Sequence, residues 1–131
     1  MSKKKETILV IDDSDEARRG YCDILVHEGY KVLEAQDGRE ALNIMKDQSP
    51  NLVLLDLLLP EMSGLDVLRQ IKADPRTKDI PVIVLSALNG QSHIQKILES
   101  GAVDYIVKLS HLSKEIISKI RKYLPSDLSP L

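Results

Sequence analysis

The feature that most constrains this chain is an alternation. Five short runs rich in aliphatic and β-branched residues, at 7–11, 31–35, 52–55, 82–85 and 103–107, alternate with five stretches of helical period. Two of the runs, Leu52-Val53-Leu54-Leu55 and Val82-Ile83-Val84-Leu85, have no polar residue at alternate positions. A strand that is apolar on both faces is buried on both, the habit of parallel strands covered by helices. The intervening stretches repeat at three and four residues: Ala17, Tyr21, Ile24 and Leu25; Ala41, Leu42 and Met45; Leu65, Leu68 and Ile71; Ile94, Ile97 and Leu98; Ile116, Ile117 and Ile120. Ser14 is placed to cap the first helix, with Asp15 and Glu16 in its opening turn. Gly29, Pro75 and Gly101 follow the first, third and fourth helices as stops. The sequence therefore predicts an α/β fold, a doubly wound five-stranded parallel sheet with five helices joined by right-handed crossovers.

With 131 residues there is material for one domain, expected at 7–124, between an N-terminal tail at 1–6 and a C-terminal tail or start of a linker at 125–131. There are four Tyr and no Phe or Trp, so the core has to be aliphatic. Eighteen basic against 20 acidic residues leave a net charge of -2, which gives no general pull toward nucleic acid or membrane. Lys3, Lys4 and Lys5 read as a solvated tail. The single cysteine, Cys22, reads as packing and suits a reducing compartment. No apolar run is long enough for a bilayer span or a signal peptide, so the expected location is cytoplasmic.

Three acidic residues stand apart from those expected on helix surfaces. Asp12 and Asp13 follow the first strand, and Asp56 follows the third. In a doubly wound sheet the carboxyl ends of the strands form one edge, where ligands bind, and strands one and three flank the switch point. Converging carboxylates repel one another and resist burial unless a cation compensates. Mg²⁺, a hard ion with oxygen ligands, meets that need. Lys108, ending the fifth strand, brings another positive charge to the same edge.

Four fragments, Ile8-Leu9-Val10-Ile11-Asp12-Asp13-Ser14, Asp56-Leu57-Leu58-Leu59-Pro60-Glu61-Met62-Ser63-Gly64, Val84-Leu85-Ser86-Ala87 and Gly101-Ala102-Val103-Asp104-Tyr105-Ile106-Val107-Lys108, make the chain resemble the receiver domains of two-component response regulators. The resemblance runs from about Thr7 to Tyr123. It implies a flavodoxin-like strand order, 2-1-3-4-5, and a domain that is no enzyme beyond catalysing its own phosphorylation and dephosphorylation. Asp56 would accept a phosphoryl group from a histidine kinase or a histidine phosphotransfer protein. Asp12, Asp13, Asp56 and the backbone carbonyl of Leu58 would hold Mg²⁺, Asp13 more directly than Asp12. Lys108 would pair with a phosphoryl oxygen, and Ser86 would hydrogen-bond the phosphoryl group. Tyr105 would turn inward as Ser86 moves. The surface of the fourth helix, fifth strand and fifth helix would switch, binding an output target or a second copy as a homodimer. No direct contact with nucleic acid or membrane is implied.

Gly64 would let the loop after Asp56 turn into the third helix, and Pro60 would stiffen it. Leu58 and Leu88 would flank the phosphoryl group; neither can position water, which implies a long-lived phospho-form. One position departs from the family: Leu109 stands where a proline usually follows the strand-five lysine. A non-proline residue favours a trans bond, which would redirect the chain after Lys108 and reshape the output surface. Three other functions compete. A haloacid-dehalogenase-like phosphatase would carry its nucleophile in a D-x-D pattern after strand one, whereas Asp12 and Asp13 are adjacent. A flavin binder would want a Ser/Thr/Gly-rich loop there instead of Asp12-Asp13-Ser14-Asp15. A degenerate receiver that binds partners unphosphorylated would have no need of the full acidic set.

Overall fold

The five runs are strands of one parallel sheet: β1 (Thr7–Ile11), β2 (Lys31–Ala35), β3 (Leu52–Asp56), β4 (Val82–Ser86) and β5 (Asp104–Val107). They alternate with α1 (Asp15–His27), α2 (Gly38–Asp47), α3 (Gly64–Ala73), α4 (Gln91–Glu99) and α5 (Leu112–Tyr123). This is a computed structural model, and it describes residues 6–87, 90–108 and 112–124. The strand order is β2-β1-β3-β4-β5, as expected, with every pairing parallel.

Side chains alternate across the sheet. Leu9, Ile11, Val53, Leu55, Val82 and Val84 pack on the side covered by α2, α3 and α4, against Ala41, Met45, Val67, Leu68, Ile71 and Ile97. Ile8, Val10, Leu52, Leu54, Ile83, Leu85 and Ile106 pack on the other, against Tyr21, Cys22 and Leu25 of α1 and Ile116 and Ile120 of α5. All residues of β3 and β4 are buried, which is why those runs carry no polar alternation. Each fully buried aliphatic side chain contributes roughly 1.5–3 kcal/mol of transfer free energy.

The helix ends follow the sequence signals. The Ser14 hydroxyl accepts the Ala17 N–H at 3.2 Å, capping α1. Gly29 and Gly101 adopt φ of 96° and 115°, a left-handed turn that side chains disfavour. Three boundaries differ from the expectation. Asp56 and Ser86 close their strands rather than following them, and β5 begins at Asp104, leaving Val103 exposed before it. On α4, Leu98 is exposed although its spacing placed it with Ile94 and Ile97. The tails at 1–5 and 125–131, Leu88 and Leu109 lie outside the described residues, so the Lys108–Leu109 linkage does too.

Candidate functional site

The strand register fixes where the site residues emerge. Ile11 pairs with Leu55, so Asp12 and Asp56 stand level at the carboxyl edge of the two central strands. Ser86 lies one step beyond the Asp56–Leu85 pair, and Lys108 one step beyond the Ser86–Val107 pair. The Lys108 N–H donates to the Ser86 carbonyl at 2.9 Å, tying the last two strand ends together. The predicted Asp12, Asp13, Asp56, Ser86 and Lys108 thus gather along one edge of the sheet.

Asp12 and Asp56 are 1% and 5% exposed, whereas Asp13 faces solvent. One carboxylate oxygen from each of the three lies within 4.8 Å of the other two. The span across an octahedral Mg²⁺ shell is about 4 Å, so small movements suffice to close the set on an ion. Asp12 Oδ1 accepts the Ser14 N–H at 2.9 Å, but buried Asp12 Oδ2 has no hydrogen-bond partner among the described residues. Its partner in charge is Lys108 Nζ at 3.6 Å. A buried carboxylate oxygen without a donor is what a hard cation satisfies. The donor set fits Mg²⁺.

Lys108 also donates to Asp56 Oδ2 at 3.3 Å, while Asp56 Oδ1 accepts the Leu58 N–H at 3.2 Å. Burial and the neighbouring Asp12 push the Asp56 carboxyl above the ordinary carboxylate range, outweighing the opposing pull of Lys108 and the Leu58 N–H. Burial works against the Lys108 ammonium, but Asp56, the Tyr21 phenol and Asp12 outweigh it and raise its pKa. Lys108 therefore stays charged between the two carboxylates.

The flanking residues are placed as follows. Leu58 follows Asp56 by two and is 63% exposed, an apolar residue joined to the site through its backbone N–H on Asp56 Oδ1. Ser86 is buried at the end of β4. Tyr105 is buried too, with the His93 ring of α4 edge-on at 6.2 Å. Gly64 serves the loop after Asp56 by close approach: an added Cβ would sit 2.6 Å from Leu57 Cα and 2.7 Å from the Asp56 carbonyl. The left-handed residue of that loop is Glu61, with φ 63°.

Sequence reasoning missed two neighbours. By its spacing Tyr21 belongs to the apolar face of α1. Its phenol has Lys108, Asp12 and Asp56 nearby; burial, then the two carboxylates, raise its pKa while Lys108 opposes. Arg18, one turn into α1, donates through Nη1 to the backbone carbonyl of Asp12 at 2.7 Å. A lone arginine on a helix that opens with acidic residues reads as a surface ion pair, so no sequence signal singled it out. A groove of about 800 Å³ between α1 and α5 is lined by Ile24, His27 and Ile117 among others and holds none of the three aspartates.

The family model of the response regulator receiver domain matches residues 8–121. The chain belongs to that family. The receiver domain is 44% identical over 92% of its length to a protein of Porphyridium aerugineum described as a probable transcriptional regulator, ycf27, covering 49% of that relative. It spans about half the length of the curated relatives it matches. Among solved structures it is similar to the signal receiver domain of a signal transduction histidine kinase from Syntrophus aciditrophicus, with TM-score 0.83 and 30% identity, covering 96% of this chain and 98% of that one. It is also similar to the Mn²⁺-bound form of response regulator Rcp1, with TM-score 0.80 and 28% identity, covering 96% and 99%. The receiver domain is thus of the two-component type, in which an aspartate accepts the phosphoryl group.

Proposed function

We infer that Asp56 is the phosphoacceptor of this receiver domain. The observation that carries the reading is the buried Asp56 carboxylate held level with Asp12 and bonded to Lys108 at 3.3 Å. Asp12, Asp13, Asp56 and the Leu58 carbonyl would hold Mg²⁺, which supplies charge neutralisation for the incoming phosphoryl group. The similarity to Rcp1, solved with Mn²⁺, supports that assignment.

A carboxylate oxygen of Asp56 attacks the phosphorus of a phosphohistidine in line. The P–O bond forms as the P–N bond breaks, and the electron pair leaves on the imidazole nitrogen, which takes up a proton. Lys108 holds a phosphoryl oxygen throughout; the chemistry needs positioning and charge stabilisation above all. The donor is a histidine kinase or a histidine phosphotransfer protein, met in the cytoplasm. In the acyl phosphate, Ser86 hydrogen-bonds the phosphoryl group and Tyr105 follows it inward. These contacts favour an active arrangement of α4, β5 and α5, which binds the output target or a second copy. The domain catalyses its own phosphorylation and dephosphorylation, and the apolar Leu58, two residues after Asp56, gives a slow return.

Incubation with acetyl phosphate and Mg²⁺, followed by intact mass, tests the reading. Wild type gains one phosphoryl group and Asp56→Asn gains none. A gain that survives in Asp56→Asn overturns the assignment.

A further inference from the structure

The Arg18 side chain is only 12% exposed, and its guanidinium spans three segments. Nη1 donates to the Asp12 carbonyl at 2.7 Å, Nη2 to Asp15 Oδ1 at 2.6 Å and Nε to Glu34 Oε1 at 3.0 Å. It thereby ties the loop after β1 to the first turn of α1 and to β2. The same Asp12 residue donates its N–H to the Ala35 carbonyl of β2 at 3.1 Å. Asp12 is thus gripped at both of its backbone polar groups.

The Asp12 carbonyl lies in the peptide plane that also carries the Asp13 N–H, and peptide planes are rigid. Holding that carbonyl restricts the tilt of the plane, and with it the place of the Asp13 Cα and the N–Cα axis about which the Asp13 side chain turns. The charge of Arg18 is already met by two carboxylates, Asp15 and Glu34. Its contribution to the acidic pocket is therefore geometric rather than an added positive field. A planar fork can serve three acceptors in fixed directions, and a lysine ammonium of equal charge cannot reproduce that.

We propose that Arg18 is the positioning residue of the cation pocket, setting the spread of Asp12 and Asp13 through the Asp12 carbonyl. The proposal rests on the reading of Asp12, Asp13 and Asp56 as cation ligands. Arg18 would act through the Asp12 carbonyl, its other nitrogens being held by Asp15 and Glu34.

The test is Mn²⁺ binding by the full chain, counting free ion by electron paramagnetic resonance, with thermal midpoints measured in chelator. Arg18→Lys keeps the charge and is expected to bind Mn²⁺ roughly tenfold more weakly, the low end for groups that orient metal ligands. Ile83→Val is the control for a merely structural effect: it loosens the core, lowers the midpoint and leaves affinity unchanged. Should Arg18→Lys fail to fold, Glu34→Ala removes the β2 acceptor of the guanidinium and is expected to weaken binding by a smaller factor. Wild-type affinity in Arg18→Lys, or in Glu34→Ala where it stands in, overturns the proposal and leaves the pocket reading intact. Absence of saturable Mn²⁺ binding in wild type overturns both, and that failure is visible before any variant is made.

Discussion

Asp56 meets conflicting demands. To attack phosphorus it has to be ionised, yet it is buried beside Asp12, and both circumstances oppose ionisation. Lys108 offsets part of the conflict, and a bound cation would offset more. In the absence of a divalent ion the arrangement is therefore under strain of charge. Asp56→Asn, which keeps the shape and removes the charge, is expected to stabilise the metal-free protein by about 0.5–2 kcal/mol, the usual scale for relieving a functional site. Thermal unfolding in chelator at neutral pH reads this directly. A midpoint for Asp56→Asn below that of wild type contradicts the account of the pocket.

The loops that end β1 and β3 decide how well these residues hold their places. After β3 the chain passes through left-handed Glu61, is capped by Ser63 on the Asp66 N–H at 3.1 Å, and returns with the Gly64 N–H bonded to the Leu57 carbonyl at 2.9 Å. Gly64 is packed directly on the backbone that carries Asp56. Gly64→Ala forces a methyl into main-chain atoms that cannot rotate away. It is expected to cost about 1–3 kcal/mol, the range for overpacking, and to lower the yield of phosphorylation. Urea unfolding and intact mass check the two effects; a variant unchanged in both contradicts the close approach. This is also the scale at which the sequence was least legible. Periodicity located every strand and helix, and strand ends placed Asp12, Asp13, Asp56 and Lys108, because a strand's end determines which edge its next residue joins. A helix position says which way a residue leans but not what a long side chain reaches. Arg18 and Tyr21 are invisible for that reason, and Gly64 reads as a turn residue where the constraint is contact.

At the scale of the whole molecule, parallel pairing in the order β2-β1-β3-β4-β5 is what makes one site from residues as far apart as Asp12 and Lys108. The two central strands deliver the acidic groups, and β4 and β5 deliver Ser86 and Lys108 to their flank. Asp104 of β5 is in turn held by Lys119 at 3.0 Å and the Tyr123 hydroxyl at 2.9 Å, both from α5, so the strand carrying Lys108 is braced against that helix. Curated relatives are about twice as long as this chain. The central claim, however, is local to this domain: the phosphoryl group goes to Asp56. Borohydride reduction of the acetyl-phosphate-treated protein converts an aspartyl phosphate to homoserine, which peptide mass spectrometry locates. Homoserine at position 56, and none at 12 or 13, is the predicted result. Homoserine at another carboxylate, with Asp56 intact, would contradict it.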